Sequence, residues 1–89
     1  MARIKHGTLV ANTPTQVDVG QGINTVEVTI VSNPAPIYFR VDGINPVIEG
    51  DDCQVVPAGV GASLGVATPA TPDTRLISAG TPKYCVRGL

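Results

Sequence analysis

Four of the seven acidic residues, Asp42, Glu49, Asp51 and Asp52, fall in the stretch 42–52 and form the only constellation with metal-ligand character. Hard oxygen ligands on two adjacent turns have the chemistry to hold Ca²⁺. The spacing departs from the EF-hand loop, however, and Asp42-Gly43, Asn45-Pro46 and Gly50-Asp51-Asp52 are ordinary turn sequences without any ion. The reading is that no metal is held. His6, the only histidine, sits beside Gly7 in a basic N-terminal stretch with no orienting group for general-base work and no companion ligands. Cys53 and Cys85 lack CxxC or Cys/His spacing, which argues against zinc. Strand periodicity sets them on differently exposed faces, so two free thiols filling apolar space are expected. No Ser/His/Asp order, phosphate-cradling glycine loop or paired carboxylates in an apolar setting is present. The sequence points to neither an enzyme nor a cofactor.

What remains is contact chemistry. Tyr38 and Arg40 alternate with Ile37, Phe39 and Val41, so a strand here turns an apolar face inward and presents Tyr38 and Arg40 on the wet one. Tyr and Arg are enriched at interface hot spots, and an exposed strand face shielding itself is the plain alternative. Arg3 and Lys5 at the N-terminus either grip an acidic partner surface or form a solvated tail, with His6 beside them as a further candidate contact.

The strands that must position these residues are short. Thr25–Val31 is the clearest, with Val26, Val28 and Ile30 on one side and Thr25, Glu27 and Thr29 on the other. It is expected at the centre of a sheet, paired as a hairpin with Ile37–Val41 through the proline loop Ser32–Pro36. Lys5–Ala11, Thr15–Val19, Cys53–Val56, Thr74–Ser78 and Lys83–Arg87 read as further strands. Val60–Val66 reads as an edge strand or loop, and Ala67–Asp73 as a Pro/Thr loop. Apolar residues never recur at helical spacing over two turns without a Gly or Pro. The expectation is an all-β fold, a small antiparallel β-sandwich or partly open barrel of seven to eight short strands, with almost no helix. Residues 1–12 are expected to form an N-terminal arm and first strand, and 13–89 a single sandwich domain. Val26, Val28, Ile30, Phe39, Val41 and Leu76 lead the expected core, joined by Val17, Val19, Ile37, Val55 and Val86.

The bulk numbers bound the partners. Eighty-nine residues make one domain with a modest core. Charged residues are only 15% and the net charge is −1, so no basic field is available to hold nucleic acid. A surface so sparsely charged suits contact with other protein. The N-terminus has no apolar run after its basic residues, and no stretch has the length of a membrane span, which predicts cytoplasmic synthesis and no membrane partner.

The segment Pro36–Gly59, PIYFRVDGINPVIEGDDCQVVPAG, followed by Thr74–Leu89, TRLISAGTPKYCVRGL, resembles a short β-domain in virion proteins of tailed phages that infect actinobacteria. In that pattern a Tyr-Phe-x-Val-Asp-Gly strand and turn leads through a proline turn and a Gly-Asp-Asp turn to a Val-Val-Pro-Ala-Gly stop. A Leu-Ile-Ser-x-Gly-x-Pro strand and turn closes the domain. The resemblance implies a capsid decoration (cement) protein on the virion surface, binding the outside of the phage head and bridging major capsid subunits, with neighbouring copies of itself as further partners. Arg3, Lys5 and His6 would then belong to an arm laid across the shell, removable through His6 without loss of the fold. A tail or head-fibre module, and a carbohydrate-binding sandwich using Tyr38 and Tyr84, are the alternative classes.

Overall fold

The computed structural model describes residues 4–20, 22–57, 61–70 and 73–89, with 61–70 described as backbone. Eight strands follow in order: β1 Ile4–Thr8, β2 Thr15–Val17, β3 Ile23–Ser32, β4 Ile37–Arg40, β5 Gln54–Val56, β6 Gly61–Ala70, β7 Thr74–Ile77 and β8 Lys83–Gly88. They form two antiparallel four-stranded sheets, ordered β1-β8-β3-β6 and β2-β7-β4-β5. Among the described residues there is no helix. The all-β, two-sheet expectation holds, and separate sheets take the sandwich alternative over the barrel. Every connection except β4 to β5 passes from one sheet to the other, which is the strand order of a jelly roll, or double-stranded β-helix.

β3 lies at the centre of its sheet between β8 and β6, as its alternation predicts. Val26, Val28 and Ile30 point inward; a register shift between Ile23 and Thr25 breaks the alternation and lets Ile23 turn inward as well. The expected β3–β4 hairpin is not formed, because residues 33–36 carry the chain across to the second sheet. Two prolines in that connection cannot extend a ladder, and the crossing lets both strands bury an apolar face against each other.

Phe39, Leu76, Ile37, Val26, Val28 and Val86 are fully buried between the sheets, with Val17, Val19 and Ile30 beside them, while Val41 packs at the margin as a partly buried residue. Val55 is not core. Val56 pairs with Ile37 and turns inward, while Val55 pairs with Tyr38 and turns out. A shift of one residue exchanges the faces of a strand. Leu9, Ile23, Val56, Ile77 and Tyr84 are further buried residues. The Pro/Thr stretch expected to be a loop supplies the second half of β6 as far as Ala70, at the edge of the first sheet.

One end of the sandwich is knitted by a serine. Ser78 is buried; its hydroxyl donates to the Pro36 carbonyl (2.7 Å) and accepts from Gly80 N–H (3.2 Å), while its own carbonyl accepts from Asn12 N–H (2.7 Å). Three crossovers, β1 to β2, β3 to β4 and β7 to β8, are thereby held at the same end. The opposite end carries the long β4–β5 connection, 41–53.

Candidate functional site

Alternation along β4 and β7 puts Tyr38, Arg40, Arg75 and Ile77 on the outward face of the second sheet, opposite in phase to Phe39 and Leu76. Arg40 and Arg75 are direct cross-strand partners, and so are Tyr38 and Ile77. Val55 completes the second row from β5 and Gln16 extends the first from β2. The face therefore has an apolar row, Val55, Tyr38 and Ile77, beside a charged one.

The charged row is closed by two aspartates. Arg40 donates from Nε to Asp42 Oδ1 (3.0 Å) and from Nη2 to Asp42 Oδ2 (2.5 Å), and its Nη1 lies 3.8 Å from Asp52. Arg75 donates from Nε and Nη2 to the two oxygens of Asp73 (3.0 and 3.1 Å) and from Nη1 to Asn45 Oδ1 (2.8 Å). Gln16 Nε2 adds a bond to Asp73 Oδ1 (3.0 Å). These hydrogen bonds hold both carboxyls below the usual carboxylate range: Asp42 chiefly through Arg40, Asp73 chiefly through Arg75 with help from Gln16. Each carboxylate in turn raises its arginine.

The same contacts brace the 41–53 loop. Gly43 N–H donates to the Asp73 carbonyl (3.1 Å), with Gly43 at φ +80 and so close that a Cβ would sit 3.0 Å from Asp73 Oδ2. Ile44 N–H donates to Asp42 Oδ1 (3.3 Å), Gly50 N–H to the Val47 carbonyl (2.8 Å), and Val47 N–H to Cys53 Sγ (3.4 Å). On this braced loop Ile44 and Val47 stand 54% and 65% exposed. Large apolar side chains are held out in water by a loop tied to two strands.

Tyr38 and Arg40 thus share the outward face as expected, but Arg40 is already engaged by Asp42. Lys5 and His6 are elsewhere: they belong to β1, paired with Val86 and Cys85 at the edge of the other sheet. Ile4–Thr8 is hydrogen-bonded to β8, so the stretch through His6 includes the first half of β1, which overlaps the expected strand Lys5–Ala11. Arg3 lies outside the described residues. Asp42 and Asp52 face Arg40, and among the described residues no three His, Cys, Asp or Glu side chains gather. Cys53 and Cys85 are free thiols, both half-buried. Tyr84 points inward over Gly7, where a Cβ would meet its ring at 2.8 Å, and its burial pushes the phenol above its ordinary pKa. It is not available as a sugar platform.

Arg75 and Asp73 are the residues that sequence reasoning missed. Their signal was present: Asp73-x-Arg75 mirrors Arg40-x-Asp42, and residues two apart share a strand face.

The fold is that of the double-stranded β-helix class. It is similar to the solution NMR structure of a de novo designed double-stranded β-helix, with a TM-score of 0.66 and 19% identity, over 99% of this chain and 100% of that one. No family model and no curated protein matches the chain.

Proposed function

We propose that this chain is a structural virion protein of the capsid decoration type, which binds the outer surface of a phage head and bridges major capsid subunits. The observation that carries the reading is the 41–53 loop, where Ile44 is exposed yet held by the Asp42, Asp73 and Arg75 bonds to residues 43–45, and Val47 is exposed yet held by Cys53 and Gly50. An apolar surface fixed in advance loses little conformational freedom on docking, which is what a small protein with a modest interface needs. The likeness of Pro36–Gly59 to the phage virion domain falls on this same loop. Burial of Tyr84 weakens the carbohydrate-binding alternative, since Tyr38 is left as the outward aromatic.

The test is co-sedimentation of the purified chain with heads that lack it. Ile44→Asp combined with Val47→Asp should abolish pelleting while leaving the melting temperature within a degree or two of the parent, as expected for exposed positions. Undiminished pelleting of that variant would remove the loop from the interface.

A further inference from the structure

The ionic pairs leave a pattern at the two flanks of the sandwich. Among the described residues Arg40, Arg75 and Arg87 each have a carboxylate, Arg87 bonding Glu27 at 3.1 Å. Lys5 and Lys83 have none among them; Lys83 lies on β8 inside the first sheet, and Lys5 on β1, an edge strand of that sheet. On the acidic side, among the described residues, Asp18, Glu49 and Asp51 have no cation, and the Asp52 side chain is 83% exposed at 3.8 Å from an arginine that Asp42 already holds. Glu49, Asp51 and Asp52 immediately precede β5, an edge strand of the second sheet.

Strand order places the two edges on opposite flanks, with β5 beside β6 on one and β1 at the far edge of β6's own sheet. Direction matters as much. β1 and β3 both run antiparallel to β8, β4 returns from the end that β3 reaches, and β5 runs antiparallel to β4. β1 and β5 therefore start at the same end of the sandwich and run the same way. Lys5 stands at the start of one and Asp51 and Asp52 just before the start of the other.

We infer that the partner for these edges is a second copy of this chain, joined head to tail by parallel pairing of β5 of one copy with β1 of the next. Rotation about an axis along the strands brings the two edges side by side in the same direction, and places Asp51 and Asp52 of one copy next to Lys5 of its neighbour. Two-fold pairing of like edges brings no carboxylate to Lys5 and no lysine to Asp51, so charge favours the head-to-tail contact. A heterologous contact of this kind closes into a ring when the rotation permits. The β1 edge contains no proline and, among the described residues, its outer ladder of N–H and C=O groups lacks a partner strand, while β5 offers a shorter edge of three residues on which Gln54 Nε2 already bonds the Val55 carbonyl (3.0 Å). Val55 on β5 and Ile4 on β1, 39% and 49% exposed, add apolar area to the seam. This goes beyond the capsid reading and needs no shell.

The experiment is sedimentation velocity of the full chain alone, from micromolar to about millimolar concentration, at low salt and at about 1 M, where screening shortens to about 3 Å. Low salt should give a closed oligomer that dissociates at high salt. Lys5→Asp and Asp51→Lys should each weaken association by about tenfold, an attraction being replaced by a repulsion. The two changes combined in one chain should restore it, because each seam regains an opposite pair. Thermal melts of the three variants check that the fold is kept. A monomer throughout the concentration range would overturn the inference, as would a double variant no better than the single ones. Either failure leaves the capsid reading standing, since no head is present in the assay.

Discussion

Arg40 and Arg75 stand directly opposite each other on the outward face of the second sheet, two like charges on paired strands. Such an arrangement is unfavourable by itself. It is relieved because Asp42 and Asp73, each two residues away on the same strand face, take the two guanidinium groups in paired hydrogen bonds. The square also reaches the 41–53 loop through Asn45 and Gly43, so hydrogen bonds tie the face that carries Tyr38 to the loop that exposes Ile44 and Val47.

The two aspartates are unequal. Asp73 binds Arg75, accepts from Gln16 and receives Gly43 N–H on its carbonyl, tying β2, β7 and the loop together, whereas the Asp42 side chain serves Arg40 and the Ile44 N–H. Asp73→Asn should lower the melting temperature by a few degrees and by more than Asp42→Asn. An equal or reversed order by calorimetry would mean that Asp73 is not the hub.

Acid should release the square. Both carboxyls titrate below the ordinary value in the folded chain, so their contribution is complete above the unfolded carboxylate pKa of about 3.9 and is lost as pH falls through their lower folded values. The urea midpoint should therefore drop below about pH 4. The Asp42→Asn/Asp73→Asn double variant should show a shallower drop, and an identical slope would deny the two carboxyls this role.

Register in β5 gives a sharp contrast between neighbours. Val56→Ala, on the inward face against Ile37, should destabilise by about 2 kcal/mol, as loss of buried methyl groups does, while Val55→Ala should stay within about 0.5 kcal/mol. Phe39→Ala, at the centre of the core, should cost about 3–5 kcal/mol. Equal effects at Val55 and Val56 would contradict the register.

Thr74 is buried between the sheets and its Oγ1 has no hydrogen-bond partner among the described residues. Thr74→Val keeps the shape and removes the orphaned hydroxyl, so it should stabilise by about 1 kcal/mol. A destabilised variant would reveal a partner for that oxygen.

Much of the fold was legible because β3 alternates cleanly from Thr25 to Val31 and β4 does so around Phe39. Both faces were assigned correctly from period alone. Partnering was not legible: β3 and β4 are consecutive and both amphipathic, yet they pack face to face in different sheets, which a local pattern cannot distinguish from a hairpin. Tyr84 illustrates a second limit. Its burial depends on the missing side chain of Gly7, a residue on a distant strand, and only the β1–β8 register brings the two together. At the site, Tyr38 and Arg40 were visible from alternation. Arg75 carried a local signal in Asp73-x-Arg75, but its place opposite Arg40 and its bond to Asn45, thirty residues away, come only from the fold.

The proposal that this chain clads a phage head is tested most directly by its copy number per purified virion, by quantitative mass spectrometry against the major capsid protein. The expected result is a ratio near one to one or another simple icosahedral fraction. A handful of copies, or none, would contradict it.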